Sequence, residues 1–319
     1  MSLSLDLDNK WSYLKTHGTD AWLGFPSYLD LVVPRILEFL RDRGLRLTFF
    51  IVGQDAALEK NRAALRSIAE AGHEIGNHSF NHEPWLHLYS EADLDRELER
   101  AEDAIQKAIG VGVDGFRGPG YSISRTTLEV LRKRGYSYDA TAFPNILNPL
   151  ARAYFFAKSE LSAEEKERRK ALFGSFSDAL RPVKPYRWML AENSLLELPV
   201  TTMPLFKTPI HFSYLIYLAS FSQIAARAYL RLAVLMCQIT STSPSLLLHP
   251  LDFLGSEDDR DLGFFPGMSM GWPRKHQLLD GFFDVLLRQF EAMTVGEHVA
   301  ALGRGDGLRS FAPHFSHTS

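Results

Sequence analysis

Two histidines four residues apart, His78 and His82, place a pair of imidazoles on the short stretch 73–82. Alone the pair decides nothing, because 11 histidines in 319 residues give about 0.4 such spacings by chance. Two carboxylates change the odds. Asp6 and Asp8 alternate with Leu5 and Leu7, so on a strand both acids share one face. Two imidazoles and one carboxylate are the donor set of a catalytic divalent-metal site, with positions left open for water and substrate. The second carboxylate is then free to act as a base, although a strand-end turn or a helix cap accounts for such acids equally well. Further along, Arg117 ends a strand-like run and is followed by Gly118, Pro119, Gly120 and Tyr121, a turn whose backbone amides could stabilise an oxyanion. The run 246–250 ends in the same way on His249 and Pro250, and by itself reads as a satisfied core histidine beside a turn proline. Cys237 is the single cysteine, so any metal must be held by nitrogen and oxygen.

These residues matter only if elements bring them together. The first half of the chain repeats one unit: a short β-like run, a polar turn, then a stretch with helical apolar spacing. That alternation predicts an α/β fold built on a parallel sheet or barrel. Strands are expected at residues 3–7, 45–52, 73–77, 115–117 and 136–140, with helices at 28–42, 60–70, 91–109 and 124–133. Gly44, Gly72 and Gly135 fall just past helical patterns, where a left-handed residue is wanted. The rhythm breaks at about 145–190, which reads as an insertion containing a charged helical run at 163–171. It resumes with a strand at 195–200, a long apolar helix at 214–238, a strand at 245–249 and a helix at 274–290. In a barrel the carboxyl ends of strands form the reactive rim, and Asp6, Asp8, His78, His82, Arg117 and His249 all fall at such ends. No repeat of solenoid period is present.

In order, Asp-x-Asp, Thr-Phe-Phe, His-Ser-x-x-His, Arg-x-Pro and Leu-x-His-Pro resemble the polysaccharide deacetylases of carbohydrate esterase family four, the NodB type. The resemblance is spread over residues 5–141 and 195–254. It implies a distorted (β/α) barrel of about seven parallel strands; with the break at 145–190 taken as a helical insertion, a single domain is expected over 1–302, and the Gly/Ser/His-rich tail over 303–319 reads as loose. The resemblance also implies metal-dependent hydrolysis of an N-acetyl or related amide on a sugar. By position, Asp6 becomes the general base, Asp8, His78 and His82 the metal ligands, Arg117 the residue holding the base, and His249 the general acid. The oxyanion amide falls on Gly120 or Tyr121, with Gly120 preferred, and Asp139 is the candidate for the fourth motif. Most members have adjacent acids followed by Gly-Pro, whereas here Asp6-Leu7-Asp8 continues as Asn9-Lys10-Trp11. That split is similar to a branch acting on lipid-linked sugars or on small amides and ureides, so the substrate class stays open. Zinc is the default cation for a His/His/Asp set, with cobalt, nickel or iron allowed by the same ligands.

The composition fits a globular chain, with 45% hydrophobic and 23% charged residues, and a net charge of −3 offers nothing to nucleic acid. No secretory leader precedes the first strand, which predicts a cytoplasmic protein if Met1 is the true start. Residues 152–187 carry nine basic against five acidic residues, and the apolar helix at 214–238 includes Arg227 and Arg231. A solvated face and a core helix are the ordinary explanations. A basic, apolar rim would equally suit a saccharide on a polyprenyl phosphate and weak contact with the inner face of a membrane. Three functions remain: a saccharide deacetylase or deformylase, an amidohydrolase on a small ureide or imide, and a non-catalytic glycan-binding module.

Overall fold

Seven parallel strands carry the molecule. The computed structural model describes residues 1–147, 179–191, 193–303 and 307–315. Its strands are β1 (Ser2–Asp6), β2 (Thr48–Ile51), β3 (Glu74–Asn77), β4 (Gly115–Phe116), β5 (Tyr138–Asp139), β6 (Tyr186–Met189), β7 (Ser194–Glu197), β8 (Ser245–Leu248) and β9 (Ser310–Phe311). They form one sheet in the order β8-β1-β2-β3-β4-β5-β7-β6-β9. From β8 to β7 every pairing is parallel; β6 runs antiparallel to β7, and β9 parallel to β6. No ladder joins the ends of the parallel array among the described residues. Instead the Thr201 amide donates to the Ser245 carbonyl (2.9 Å) and the Ser245 amide to Thr201 Oγ1 (2.8 Å), which brings the chain leaving β7 alongside β8. The result is the expected α/β architecture with seven parallel strands, its seam held by these two bonds.

Helices cover the outside: α1 (Lys10–His17), α2 (Leu29–Arg41), α3 (Gly53–Ala57), α4 (Arg62–Glu70), α5 (Glu91–Ile109), α6 (Arg125–Lys133), α7 (Phe212–Phe221), α8 (Gln223–Ile239), α9 (Trp272–Leu287) and α10 (Val295–Leu302). Their inward faces follow helical spacing, as in α2, where Leu29, Val32, Val33, Ile36, Phe39 and Leu40 are buried. β1 and β8 are buried along their whole length, as expected of parallel strands covered on both faces. Gly44, Gly72 and Gly135 adopt φ of 62°, 80° and 86° at the ends of helical segments, as the sequence required.

Three expectations change. The helix at 214–238 is two, because Ser222 leaves helical geometry (φ −157°, ψ 114°) and caps α8 by accepting from the Ala225 amide. Part of the presumed insertion, Tyr186–Met189, pairs with β7, so that part belongs to the sheet. The tail is not wholly loose: Ser310–Phe311 pairs with β6, and the Phe315 ring lies 5.7 Å from that of Trp188. The charged run at 163–171 lies outside the described residues.

Candidate metal centre and rim

Register lines the candidate side chains along one rim. Leu5 pairs with Leu248, Asp6 with Phe50, Ile51 with Asn77, Asn77 with Phe116, and Phe116 with Asp139. His249, Asp6, His78, Arg117 and Asp139 therefore end or directly follow neighbouring parallel strands. Asp6 and Asp8 do share a side of the strand end, while Leu7 between them is buried and donates its amide to the Phe50 carbonyl. Beyond Asp8 the chain turns at once into α1, because Asn9 caps it by accepting from the Lys10 amide. Asn9 also donates to Asp55 Oδ1 (2.7 Å), and Tyr28 donates its hydroxyl to the Asp8 carbonyl (2.5 Å). The unusual Asp8-Asn9-Lys10-Trp11 run is thus a helix start that fixes the Asp8 backbone.

Asp8, His78 and His82 converge. The Asp8 carboxylate lies 2.8 Å from His82 Nε2 and 3.3 Å from His78 Nε2, and one donor atom from each residue falls within 4.8 Å of the others. All three are buried, at 8%, 2% and 9% exposure. His78 Nδ1 lies 2.7 Å from the Arg117 carbonyl, which accepts from it and so fixes the tautomer with Nε2 facing Asp8. Burial alone would raise the Asp8 carboxyl, but His82 and His78 hold it well below the ordinary range. Burial would likewise depress His78, yet the carboxylates of Asp6 and Asp8 hold it above its usual value. An ionised carboxylate with two convergent imidazole nitrogens, that of His78 oriented by a backbone carbonyl, fits a divalent cation of the zinc, cobalt, nickel or iron kind.

The ligand loop is held under strain. Ser79 and His82 adopt φ of 60° and 52°, left-handed values that cost side chains other than glycine. Glu97 on α5 offsets this: its carboxylate accepts from the amides of Phe80 (3.0 Å) and Asn81 (2.6 Å) and from Asn81 Nδ2 (2.6 Å).

Arg117 is fully buried, its guanidinium 3.2 Å from Asp6 Oδ1 and stacked 4.7 Å over the Phe50 ring. After it, Gly120 takes φ 60°, and a Cβ there would meet Pro84 Cβ at 2.7 Å, so glycine is required. The Tyr121 amide donates to the Gly118 carbonyl (3.1 Å). Asp139 is fully buried; it accepts from the amide (3.1 Å) and the hydroxyl of Thr141 and is hydrogen-bonded to Glu197. Burial pushes Asp139 up to about 6 and Glu197 well above its usual value, so this carboxyl pair holds a proton. The Trp188 indole and the Ala142 amide, each 2.8 Å away, satisfy Glu197.

His249 is oriented from a distance. Its Nδ1 lies 3.0 Å from Ser213 Oγ on α7, the Ser213 hydroxyl also bonds Asp252, and Asp252 Oδ2 accepts from the His249 amide (2.8 Å). Ser213, Asp252 and Glu197 did not stand out in the sequence. For Asp252 a signal existed in its position three residues after His249, which makes a side-chain cap; for Ser213, 36 residues upstream, none did.

A parallel α/β barrel whose rim joins a His/His/Asp donor set to an arginine-held carboxylate and a histidine defines a class: barrels with a candidate divalent-metal centre. Comparison with known proteins narrows it. Residues 15–138 match the polysaccharide deacetylase family. A peptidoglycan deacetylase of Helicobacter pylori is 28% identical over 167 residues, 50% of this chain and 54% of that protein. A chitooligosaccharide deacetylase of Azorhizobium caulinodans is 31% identical over 105 residues, 33% of this chain and 49% of that protein. The chain spans about half or less of the length of these relatives. A solved Mycobacterium smegmatis structure of the polysaccharide deacetylase type superposes with a TM-score of 0.59 at 20% identity, covering 99% of this chain and 94% of that one, a likeness of fold. Residues 15–138 are thus similar to the polysaccharide deacetylase family, in keeping with the motif order read from the sequence. The matched family region includes His78, His82, Arg117 and Gly120; Asp6, Asp8, Asp139 and His249 lie outside it and rest on the geometry.

Proposed function

We propose that this chain hydrolyses an N-acetyl amide on a saccharide, with a divalent cation held by Asp8, His78 and His82. The observation that carries this reading is the meeting of that triad, 2.8 and 3.3 Å apart at its closest contacts, with the Asp6–Arg117 pair on the same rim. The names of the peptidoglycan and chitooligosaccharide deacetylases among its relatives support the amide and the sugar. A bound cation would supply Lewis-acid polarisation of the carbonyl and a more acidic water. The chain's own groups do the rest. Asp6, oriented by the buried Arg117 guanidinium, takes a proton from the attacking water as its oxygen bonds to the carbonyl carbon. The Gly120 amide donates to the oxygen of the tetrahedral intermediate. His249, aligned by Ser213, gives its proton to the nitrogen as the carbon–nitrogen bond breaks, and acetate and a free amine leave. Zinc is the first cation to try. The test is acetate release from N-acetylated chitooligosaccharides and peptidoglycan fragments by the zinc-loaded and chelator-stripped protein. Cation-dependent release from either is expected; release from neither, or equal release after stripping, overturns the reading.

A further inference from the structure

The outer face of α8 breaks the rule that a surface helix turns polar side chains to water. Its inner face buries Ala226, Leu230, Ala233, Val234 and Cys237. Its outer face exposes Ile224 (83%), Leu232 (44%), Leu235 (47%) and Ile239 (65%), and Phe221 just ahead of it is 75% exposed. These positions recur at helical spacing, so the exposed side is a continuous apolar stripe. Arg227 and Arg231, also exposed, are the only charged residues on the helix. At its foot Arg231 and Arg288 line a cleft of about 310 Å³ with Val234, Leu235 and Val285. From residue 198 to residue 251 the chain has no Asp or Glu at all. Among the described residues no helix is long and apolar enough to cross a membrane, so the stripe is not one side of a span.

The geometry points to an anionic lipid surface as the occupant: we propose that α8 lies flat on a bilayer carrying acidic headgroups, its apolar stripe in the interface and its arginines at the phosphates. Charge chooses among the occupants. A second copy docked by the same stripe would bring Arg227 and Arg231 toward their own images with no carboxylate on the stripe to pair them. An uncharged apolar partner would leave both guanidiniums unmatched, whereas acidic headgroups satisfy them while the acyl region takes the aliphatic side chains. The face also reaches the rim. α8 leads into β8, whose far end carries His249, so the start of α8 is on the rim side. There the Tyr229 hydroxyl on α8 lies 2.7 Å from Thr208 Oγ1 and 2.9 Å from the Pro209 carbonyl. This ties in the loop that exposes Leu205 (76%) and Phe206 (54%). A bilayer on this face would stand beside the mouth of the site, suited to a saccharide carried on lipid; only that last consequence rests on the hydrolase reading.

Vesicle flotation tests the surface without any hydrolysis. The intact chain, Ile224→Gln/Leu235→Gln and Arg231→Gln would each be floated with phosphatidylcholine vesicles and with equal parts phosphatidylcholine and phosphatidylglycerol, at low and high salt. The substituted side chains are exposed, and thermal melts check that folding is unchanged. The wild type should float with the anionic vesicles at low salt and less at high salt. The double variant should bind about tenfold more weakly, and Arg231→Gln about fivefold. A wild type left unbound by anionic vesicles at low salt overturns the proposal, and so does equal binding by all three. A dimer in sedimentation that the double variant dissolves would give the face to a second copy instead. Acetate release is measured separately, so loss of activity and loss of lipid binding remain distinct results.

Discussion

The two ends of the barrel both hold charged side chains against the sheet, and they do so in opposite ways. At the amino end Glu74 starts β3 and has both carboxylate oxygens satisfied. Tyr138 donates its hydroxyl (2.8 Å), Thr48 Oγ1 another (2.5 Å), and the Gly296 amide, in the first turn of α10, a third (2.8 Å). A carboxylate at a helix start needs nothing more. At the carboxyl end, Arg117 Nε and Nη2 and His82 Nδ1 are buried without a hydrogen-bond partner among the described residues. Ser79, His82 and Tyr121 there hold left-handed backbone. Each such feature costs on the order of 1–3 kcal/mol. Closed polar networks are what stability selects; strain beside unpartnered polar atoms at the candidate centre marks where the chain is arranged to meet another group.

The contrast breaks most sharply at the cation. Wild type purified without chelators should carry about one divalent ion per chain, and His78→Ala should carry almost none, as read by metal mass spectrometry. A wild type that takes up no zinc, cobalt, nickel or iron removes the centre altogether. Asp6→Asn comes next: it should keep the ion yet lose turnover by about 10²–10⁴-fold, since only the proton acceptor is gone. Equal loss of ion in Asp6→Asn and Asp8→Asn would mean that base and ligand are misassigned.

The rim was legible where chemistry and chain order coincide. Asp6, Asp8, His78, His82 and Arg117 end or follow short strands that the alternation of β-like runs and helical spacing placed, and period-two spacing put both acids on one side. Gly120 was legible for a steric reason, since the turn needs both its φ and its missing Cβ. What escaped was held by residues with no pattern of their own. Ser213 is one hydroxyl in an aromatic helix, and Glu197 is the last residue of a strand already assigned on its leucines. The break at Ser222 was hidden because both helices it separates are apolar. β6 and β9 escaped because a charged stretch and a short tail pair only with each other and with β7, a long-range arrangement that local alternation does not encode.

Smaller effects separate support from structure. Glu97→Gln sets an amide NH₂ against Asn81 Nδ2 and should loosen the ligand loop, lowering zinc affinity about 10–100-fold by competition with a chromogenic chelator. At the opposite end Glu74→Ala should act on stability instead. It unpairs the Tyr138 and Thr48 hydroxyls and the Gly296 amide, and should cost about 2–3 kcal/mol in denaturant unfolding while zinc affinity stays unchanged. If Glu74→Ala lowers zinc affinity as much as Glu97→Gln does, the two ends are not independent and the comparison fails.

The finest test concerns how the proposed acid is held. His249 lies on the same rim as the ligands but has no backbone carbonyl fixing its Nδ1; Ser213 Oγ stands there at 3.0 Å, and behind it the buried Asp252. If Ser213 donates to Asp252 and accepts from Nδ1–H, the tautomer is fixed and the remaining ring nitrogen faces the rim. Burial lifts the Asp252 carboxyl above its ordinary value, and its contacts with His249 and Ser213 act against that rise, so the three groups are coupled. Ser213→Ala removes the hydroxyl without touching any group proposed to meet substrate. It should lower kcat about tenfold with KM unchanged. Ser213→Thr retains the hydroxyl and should restore kcat. A kcat that does not fall in Ser213→Ala, or a threonine variant that rescues nothing, would reduce Ser213 to a packing residue and leave His249 oriented by its backbone bond to Asp252 alone.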